Sequence, residues 1–201
     1  MLATALASLA LVLPPSNVVV YGPGNFELQL LVSKLAQQAG YKATNFIRSD
    51  WTDRGNRLMY GKEHTSIDAA QRVRFASANT QYGAALAKAD AIVLCAENGG
   101  NTDLANTLKF APRCQRLVLF TSVGGSRGVG GQMGEGERVL QCESKAADIV
   151  RGADVELCIV RAGLLKGGGG GDYDDEPLPK RSPIPLVVLF VVLILGGGYG
   201  A

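Results

Sequence analysis

Between Asn17 and Arg161, short apolar runs rich in β-branched residues alternate with longer stretches whose apolar residues recur at helical spacing. This order is typical of βαβ units, in which helices join parallel strands. It predicts a doubly wound α/β fold, since strands covered by helices on both faces are continuously apolar. Six strands are predicted, in the runs NVVVYG, KATNFIR, RVRFASA, AIVLCA, RLVLFTS and VELCIVRAG.

Helices are predicted between these runs. The first is NFELQLLVSKLAQQAG, in which Gly40 supplies a C-terminal stop. Its apolar face is expected to carry Phe26, Leu30, Leu31 and Leu35. The later helices are YGAALAKAD, TDLANTLKFA and EGERVLQCESKAADIVRG, and the second of these is expected to begin at a cap, Thr102 or Asn101.

Two stretches interrupt the alternation. Residues 50–70 are long for a connection between strands, so we expect either an outward-facing contact surface or a small ordered insertion. After the sixth strand, GGGGGDYDDEPLPKRSP predicts a flexible linker at 167–183. The globular domain is therefore expected to span 17–166.

Both ends of the chain are apolar. Residues 1–16 resemble the core of a signal or transit segment, and either a retained apolar helix or a targeting remnant fits them. Residues 184–201 form an uncharged hydrophobic tail, which predicts a transmembrane helix if its glycines stay helical, because a span needs about 20 apolar residues. Lys180 and Arg181 precede it and favour a folded domain on the cytosolic, stromal or matrix side. The alternative is a hydrophobic strand or helix that docks on the domain or on a partner.

Composition excludes two classes of partner. A net charge of +2 with interspersed signs gives no basic stripe, so no nucleic acid is expected. The four cysteines are widely spaced and His64 is the single histidine, so no metal site is expected. Cys95 and Cys158 lie in apolar runs as free thiols would, which favours a reducing compartment.

The first strand is followed by a glycine turn, YGPGNFE, where a dinucleotide-binding turn would stand. Gly22 suits the bend and Gly24 the close approach of backbone to pyrophosphate. Glu27 replaces the third glycine, and its carboxylate competes with an anionic ligand for the helix N-terminus. The alternative is a structural turn that no longer binds a nucleotide.

The second strand ends in Arg48, where an NAD site usually has an acidic residue. A basic residue there suits a 2′-phosphate, so NADP is the favoured cofactor if one binds. An ordinary strand-end arginine in water is the alternative.

Taken together, VVVYGPGNF, FIRSD, AALAKADAIVLCA, RLVLFTSVGGSR and VELCIVRAGLLKGG resemble the atypical short-chain dehydrogenase/reductase family, particularly NmrA-like and plastid-type NAD(P)-binding Rossmann proteins, over roughly residues 17–166. The resemblance implies a Rossmann-like fold. It also implies cofactor contacts along the turn, after the second strand and beside the nicotinamide half. These would come from Gly22, Gly24, Asn25, Phe26, Arg48, Ala96 and Ser122.

The chain departs from that family where the chemistry is done. Active members place a Tyr-x-x-x-Lys pair in the helix before the sixth strand, where the lysine lowers the tyrosine pKa. Val139 and Glu143 stand near those places, and Lys145 has no tyrosine one turn before it. Ala162 also replaces the family's proline. No catalytic residue is therefore expected.

These observations favour a non-catalytic accessory or scaffold subunit of a membrane protein complex. The resemblance makes a photosynthetic thylakoid complex in a plastid the first setting and a respiratory complex the second. The alternative is an NADP-dependent atypical reductase, or a redox-sensing regulator that binds NADP. Folds are often reused without their chemistry, so the fold alone does not decide between them.

Overall fold

A computed structural model describes residues 16–97, 99, 103–122 and 134–162. The apolar N-terminal segment before Ser16, the linker, the tail and the predicted end of the domain near Lys166 lie outside the described residues. Within the described residues, no helix has the length and apolarity needed to cross a bilayer.

The structure confirms the predicted parallel α/β fold. Six parallel strands form one sheet in the order β3-β2-β1-β4-β5-β6. The strands are β1 (Asn17–Tyr21), β2 (Lys42–Phe46), β3 (Arg74–Ala76), β4 (Ala91–Cys95), β5 (Arg116–Ser122) and β6 (Glu156–Ala162). Because the order reverses between β1 and β4, the carboxyl ends of these two strands border the crevice where such sheets bind ligands.

Two apolar clusters cover the faces of the sheet, and the central strands contribute to both. One cluster packs under the first two helices and includes Val18, Val20, Val32, Ala43, Val93 and Val118. The other includes Val19, Ile92, Leu94, Leu117, Leu119 and Ala146. Continuous burial of β4, where all five residues are inaccessible, explains why its sequence shows no alternation.

The helices are α1 (Phe26–Gln38), α2 (Thr52–Tyr60), α3 (Asn79–Leu86), α4 (Leu104–Lys109) and α5 (Glu135–Arg151). The buried face of α1 is carried by Leu28, Leu30, Val32 and Leu35, whereas Leu31 is only half-buried. The predicted caps of α4 are wrong. Asp103 caps it, because its carboxylate accepts a hydrogen bond from the Asn106 N–H at 3.2 Å.

The long connection after β2 is an ordered insertion. A 3₁₀ turn over Ser49–Trp51 leads into α2, and two further 3₁₀ turns follow. Met59 is 3% exposed, and a Cβ at Gly55 would meet Phe75, Ile47 and Leu30 between 3.1 and 3.5 Å. The second of the two predicted alternatives, a small ordered insertion, is therefore correct for this stretch.

Candidate functional site

The glycine turn between β1 and α1 packs directly on the end of β4. A Cβ at Gly22 would overlap the Cys95 carbonyl oxygen, and Gly22 has a φ of 148°. The Gly24 N–H donates to that same oxygen at 3.0 Å, and a Cβ at Gly24 would lie 2.8 Å from it. Both glycines are thus required by the close approach of the turn to β4, independently of any ligand.

A carboxylate already occupies the N–H edge of this turn. Asn25 donates its backbone N–H to both oxygens of Glu97, at 3.0 and 3.2 Å, and a Cβ at Gly24 would overlap the same carboxylate. The Asn25 side chain in turn accepts the Glu27 N–H at 2.8 Å and caps α1. Glu97 therefore sits where a pyrophosphate would receive backbone hydrogen bonds at a helix N-terminus.

The segment that follows β2 carries an aromatic residue and two arginines. The Trp51 ring meets Phe26 edge-on with centroids 4.9 Å apart. The Arg48 and Arg54 guanidinium carbons lie 5.7 and 5.2 Å from the Trp51 ring centre, within cation–π range. Arg48 also pairs with Asp50 through two nitrogens, at 3.2 and 2.9 Å, and its side chain is 74% exposed.

The remaining two predicted residues follow β4 and end β5. Ala96 is fully buried, and its N–H donates to the Phe120 carbonyl at 2.8 Å. The Ser122 N–H donates to the Glu97 carbonyl at 3.1 Å. The Ser122 hydroxyl is buried and has no hydrogen-bond partner in the part of the chain that the structure describes.

The inner face of α5 holds a buried carboxylate, Glu143, that pairs with a partly exposed arginine, Arg161. Val139 is 2% exposed and Glu143 is 5% exposed. Glu143 accepts the Thr121 hydroxyl at 2.7 Å and is bound by Arg161 at 3.0 and 2.6 Å. The Arg161 hydrogen bond outweighs burial and, with that of Thr121, lowers the pKa of Glu143, while Glu143 raises the pKa of Arg161. A negative charge at this place would raise the pKa of a nearby phenol rather than lower it.

The phenols and thiols with shifted pKa values are all shifted away from reactivity. Burial raises the pKa of Tyr21 to about 12 and raises those of Tyr41 and Tyr60. Burial, and then the Glu97 charge, raise the pKa of the Cys95 thiol. Among the described residues no group of histidine, cysteine and carboxylate side chains could hold a metal ion.

The structure brings the predicted site residues into one row along the carboxyl edge of the sheet. The Arg48 guanidinium lies by the Trp51 ring, and that ring contacts Phe26. Asn25 directly precedes Phe26, and Glu97 links Asn25 to Ser122. Whether these residues bind a cofactor stays a prediction. Sequence reasoning missed Glu97, Trp51 and Arg54. A carboxylate directly after β4 and an arginine–tryptophan pair after β2 were the available signals.

Comparisons with known proteins agree with this fold. No protein-family model and no curated protein matches the chain. Among solved structures, a protein assigned as an NAD-dependent epimerase/dehydratase from Bacillus halodurans is 19% identical, with a TM-score of 0.52 over 89% of this chain and 87% of that chain. The yeast methylglyoxal/isovaleraldehyde reductase Gre2 with NADPH is 11% identical, with a TM-score of 0.53 over 73% and 54%. Gre2 from Candida albicans with NADPH is also 11% identical, with a TM-score of 0.52 over 77% and 60%.

The chain therefore has a Rossmann-like α/β fold, as the sequence resemblance implied, and it shares this fold with solved NAD(P)-dependent epimerase/dehydratase and reductase structures. At these identities the likeness shows the fold alone. The chain spans 54% of the yeast reductase.

Proposed function

We propose that this protein is a non-catalytic Rossmann-fold domain that serves as an accessory or scaffold subunit of a membrane protein complex. The observation that carries the proposal is Glu143, a buried carboxylate held by Arg161 and Thr121 near the place where active members of the resembled family have a lysine. A buried anion there opposes ionisation of a phenol, and Val139 stands one turn earlier. Tyrosine-based hydride transfer is therefore not supported by this helix.

The membrane setting is proposed from the sequence. The apolar segment 1–16 and the tail 184–201 would supply contacts with lipid or with other subunits. The folded domain would lie on the stromal, matrix or cytosolic side. A plastid thylakoid complex is the first setting and a respiratory complex the second.

The test is to isolate the native full-length chain from membranes in mild detergent and identify what co-purifies. The proposal expects a stable complex and no oxidation of NADPH by the chain with a panel of carbonyl substrates. A chain that purifies as a monomer without detergent would count against the membrane-complex role. NADPH-dependent carbonyl reduction by the chain alone would count against the non-catalytic role.

A second candidate, an NADP-binding regulator or atypical reductase, is favoured by the cluster of Arg48, Arg54, Trp51 and Phe26. Two guanidinium groups beside an aromatic ring suit a 2′-phosphate and an adenine ring. The yeast and Candida reductases were solved with NADPH. The opposite end of the site does not fit a dinucleotide, because Glu97 occupies the N–H edge of the glycine turn.

Thermal unfolding with NADPH or NADH tests this candidate. A ligand at about one hundred times its Kd stabilises the native state by about 2.7 kcal/mol. A shift with NADPH that is smaller with NADH and lost in Arg48→Ala would support it. No shift in the unfolding temperature with either nucleotide would leave the scaffold function as the remaining candidate.

A further inference from the structure

The glycine turn carries an anion that belongs to the protein itself. The Glu97 carboxylate accepts the Asn25 N–H through both oxygens and lies over Gly24. In a dinucleotide site this space is left to the pyrophosphate, since the backbone N–H groups and the helix dipole favour an anion there. Two anions do not share it, because like charges a few ångströms apart repel strongly.

The backbone fixes Glu97 in this position. Its carbonyl accepts the Ser122 N–H at 3.1 Å, which extends the β4–β5 pairing by one step. The preceding residue, Ala96, is fully buried and bonded to Phe120 at 2.8 Å. Glu97 is thus anchored by its main chain to β5, and only its side-chain torsions can move the carboxylate off the turn.

The geometry points to Glu97 as an internal ligand that determines which molecules can bind in the crevice at the carboxyl ends of β1 and β4, here called the cleft. With the carboxylate on Asn25, the cleft excludes a pyrophosphate, while the Arg48–Arg54 end remains accessible to an adenosine bearing a 2′-phosphate. A dinucleotide binds after Glu97 leaves the turn. This inference rests on the second candidate function, because it needs a cleft that holds a dinucleotide once the carboxylate is gone.

The experiment compares the full chain with Glu97→Ala and Glu97→Gln by calorimetry with NADPH and with adenosine 2′-monophosphate, which lacks the pyrophosphate. Glu97→Ala is expected to bind NADPH at least about tenfold tighter than the wild type, equivalent to 1.4 kcal/mol. Glu97→Gln keeps an oxygen that can accept the Asn25 N–H but loses the charge. Its NADPH affinity is therefore expected to lie between those of the wild type and Glu97→Ala. Affinity for adenosine 2′-monophosphate is expected to be unchanged in both variants.

Asp154→Ala and Asp154→Asn are the matched controls. Asp154 is an exposed carboxylate before β6, at the opposite edge of the sheet, and its loss changes the net charge equally. These variants are expected to bind NADPH as the wild type does. A similar gain in NADPH affinity in the Asp154 and Glu97 variants would show that the effect comes from net charge alone, and it would overturn the inference.

Hydrogen exchange provides a readout that needs no nucleotide. The Asn25 amide is expected to exchange faster in Glu97→Ala than in the wild type, while amides of β4 keep their protection and report that the variant is folded. Unchanged Asn25 exchange would overturn the contact itself.

Equal NADPH affinity of wild type and Glu97→Ala would overturn the inference, and binding of adenosine 2′-monophosphate would then still support the NADP-binding candidate. If neither nucleotide binds to any of the proteins, the inference about Glu97 and the NADP-binding candidate are both refuted. The scaffold function is tested separately, by hydride transfer and co-purification, and is unaffected by that result.

Discussion

Removing Glu143 should cost stability mainly through Thr121. Glu143 and Thr121 are both buried, and their hydrogen bond measures 2.7 Å. Hydrogen bonds to charged groups contribute about 1.5–3 kcal/mol, and Glu143→Ala also leaves the Thr121 hydroxyl buried without its acceptor. The Arg161 side chain is 55% exposed, so solvent screens the ion pair and rehydrates the guanidinium when the carboxylate is lost. We therefore expect Glu143→Ala to lower the free energy of unfolding by about 2 kcal/mol.

Urea unfolding of the wild type, Glu143→Ala, Thr121→Val and the double variant measures this interaction. In thermal unfolding, a loss of about 2 kcal/mol corresponds to a fall in Tm of about 4–8 °C for a chain of this length. The sum of the losses in unfolding free energy for the two single variants should exceed the loss for the double variant by at least about 1 kcal/mol, because both substitutions remove the same hydrogen bond. Asp148→Ala is the control, since Asp148 lies on the same helix and forms an exposed pair with Arg151. Additivity within about 0.5 kcal/mol would refute the reasoning.

The same carboxylate predicts a pH dependence. Arg161 holds the pKa of Glu143 below its usual 4.5 in the folded protein. The stabilisation is therefore fully present above pH 4.5 and is lost as the pH falls through the lower, folded value. As the pH falls below 4.5, Glu143→Gln should therefore lose less stability than the wild type. Parallel pH profiles for the two proteins would contradict this.

The remaining predictions concern the turn and the sheet. Gly22→Ala should lower the free energy of unfolding by at least about 2 kcal/mol, because the new Cβ overlaps the Cys95 carbonyl at a strained φ. Gly83→Ala in α3, where a Cβ meets nothing within 4 Å, should instead raise it by about 0.5–1 kcal/mol, and urea titration of both variants checks the pair. Asp90→Ala should cost about 2 kcal/mol, since its carboxylate accepts hydrogen bonds from the start of β1 and from Arg113, and a larger loss in Asp90→Asn would contradict this. Cys95 should resist iodoacetamide in the native protein, as followed by mass spectrometry, because burial raises the pKa of its thiol.

The strands were predictable because each carries its own signal. The runs around Val18, Ile92 and Leu117 are short, β-branched and continuously apolar, which few structures other than buried parallel strands require. The helix α2 was not predictable. Its sequence TDRGNRLMY has few apolar residues, and its inner face consists of Gly55 and Met59, which are recognised as buried only when α1 is placed beside them.

The candidate site was predictable where local backbone geometry determines it. The bend at Gly22 follows from a strand leading into a helix. Asn25 was expected only as a cofactor contact, and its role as the cap of α1 was not predicted. Glu97 was not predictable in that way, because its contact with Asn25 depends on β4 lying next to β1, 72 residues away in the chain. The cap of α4 at Asp103 shows a related limit. Several polar residues precede that helix, and which of them is the cap depends on the residue at which the first helical turn begins.

Two carboxylates of the protein itself satisfy donors at the candidate site. Glu97 takes the N–H edge of the glycine turn, and Glu143 takes Arg161 and the Thr121 hydroxyl near the place of the missing lysine. A domain that leaves such donors to a ligand gains stability when the ligand binds, whereas internal acceptors provide it permanently. This arrangement agrees with the proposed scaffold function, because the fold would then not depend on nucleotide concentration. It also means that restoring chemistry would require more than a new tyrosine, because a lysine at position 143 would face Arg161, a like charge, across the site.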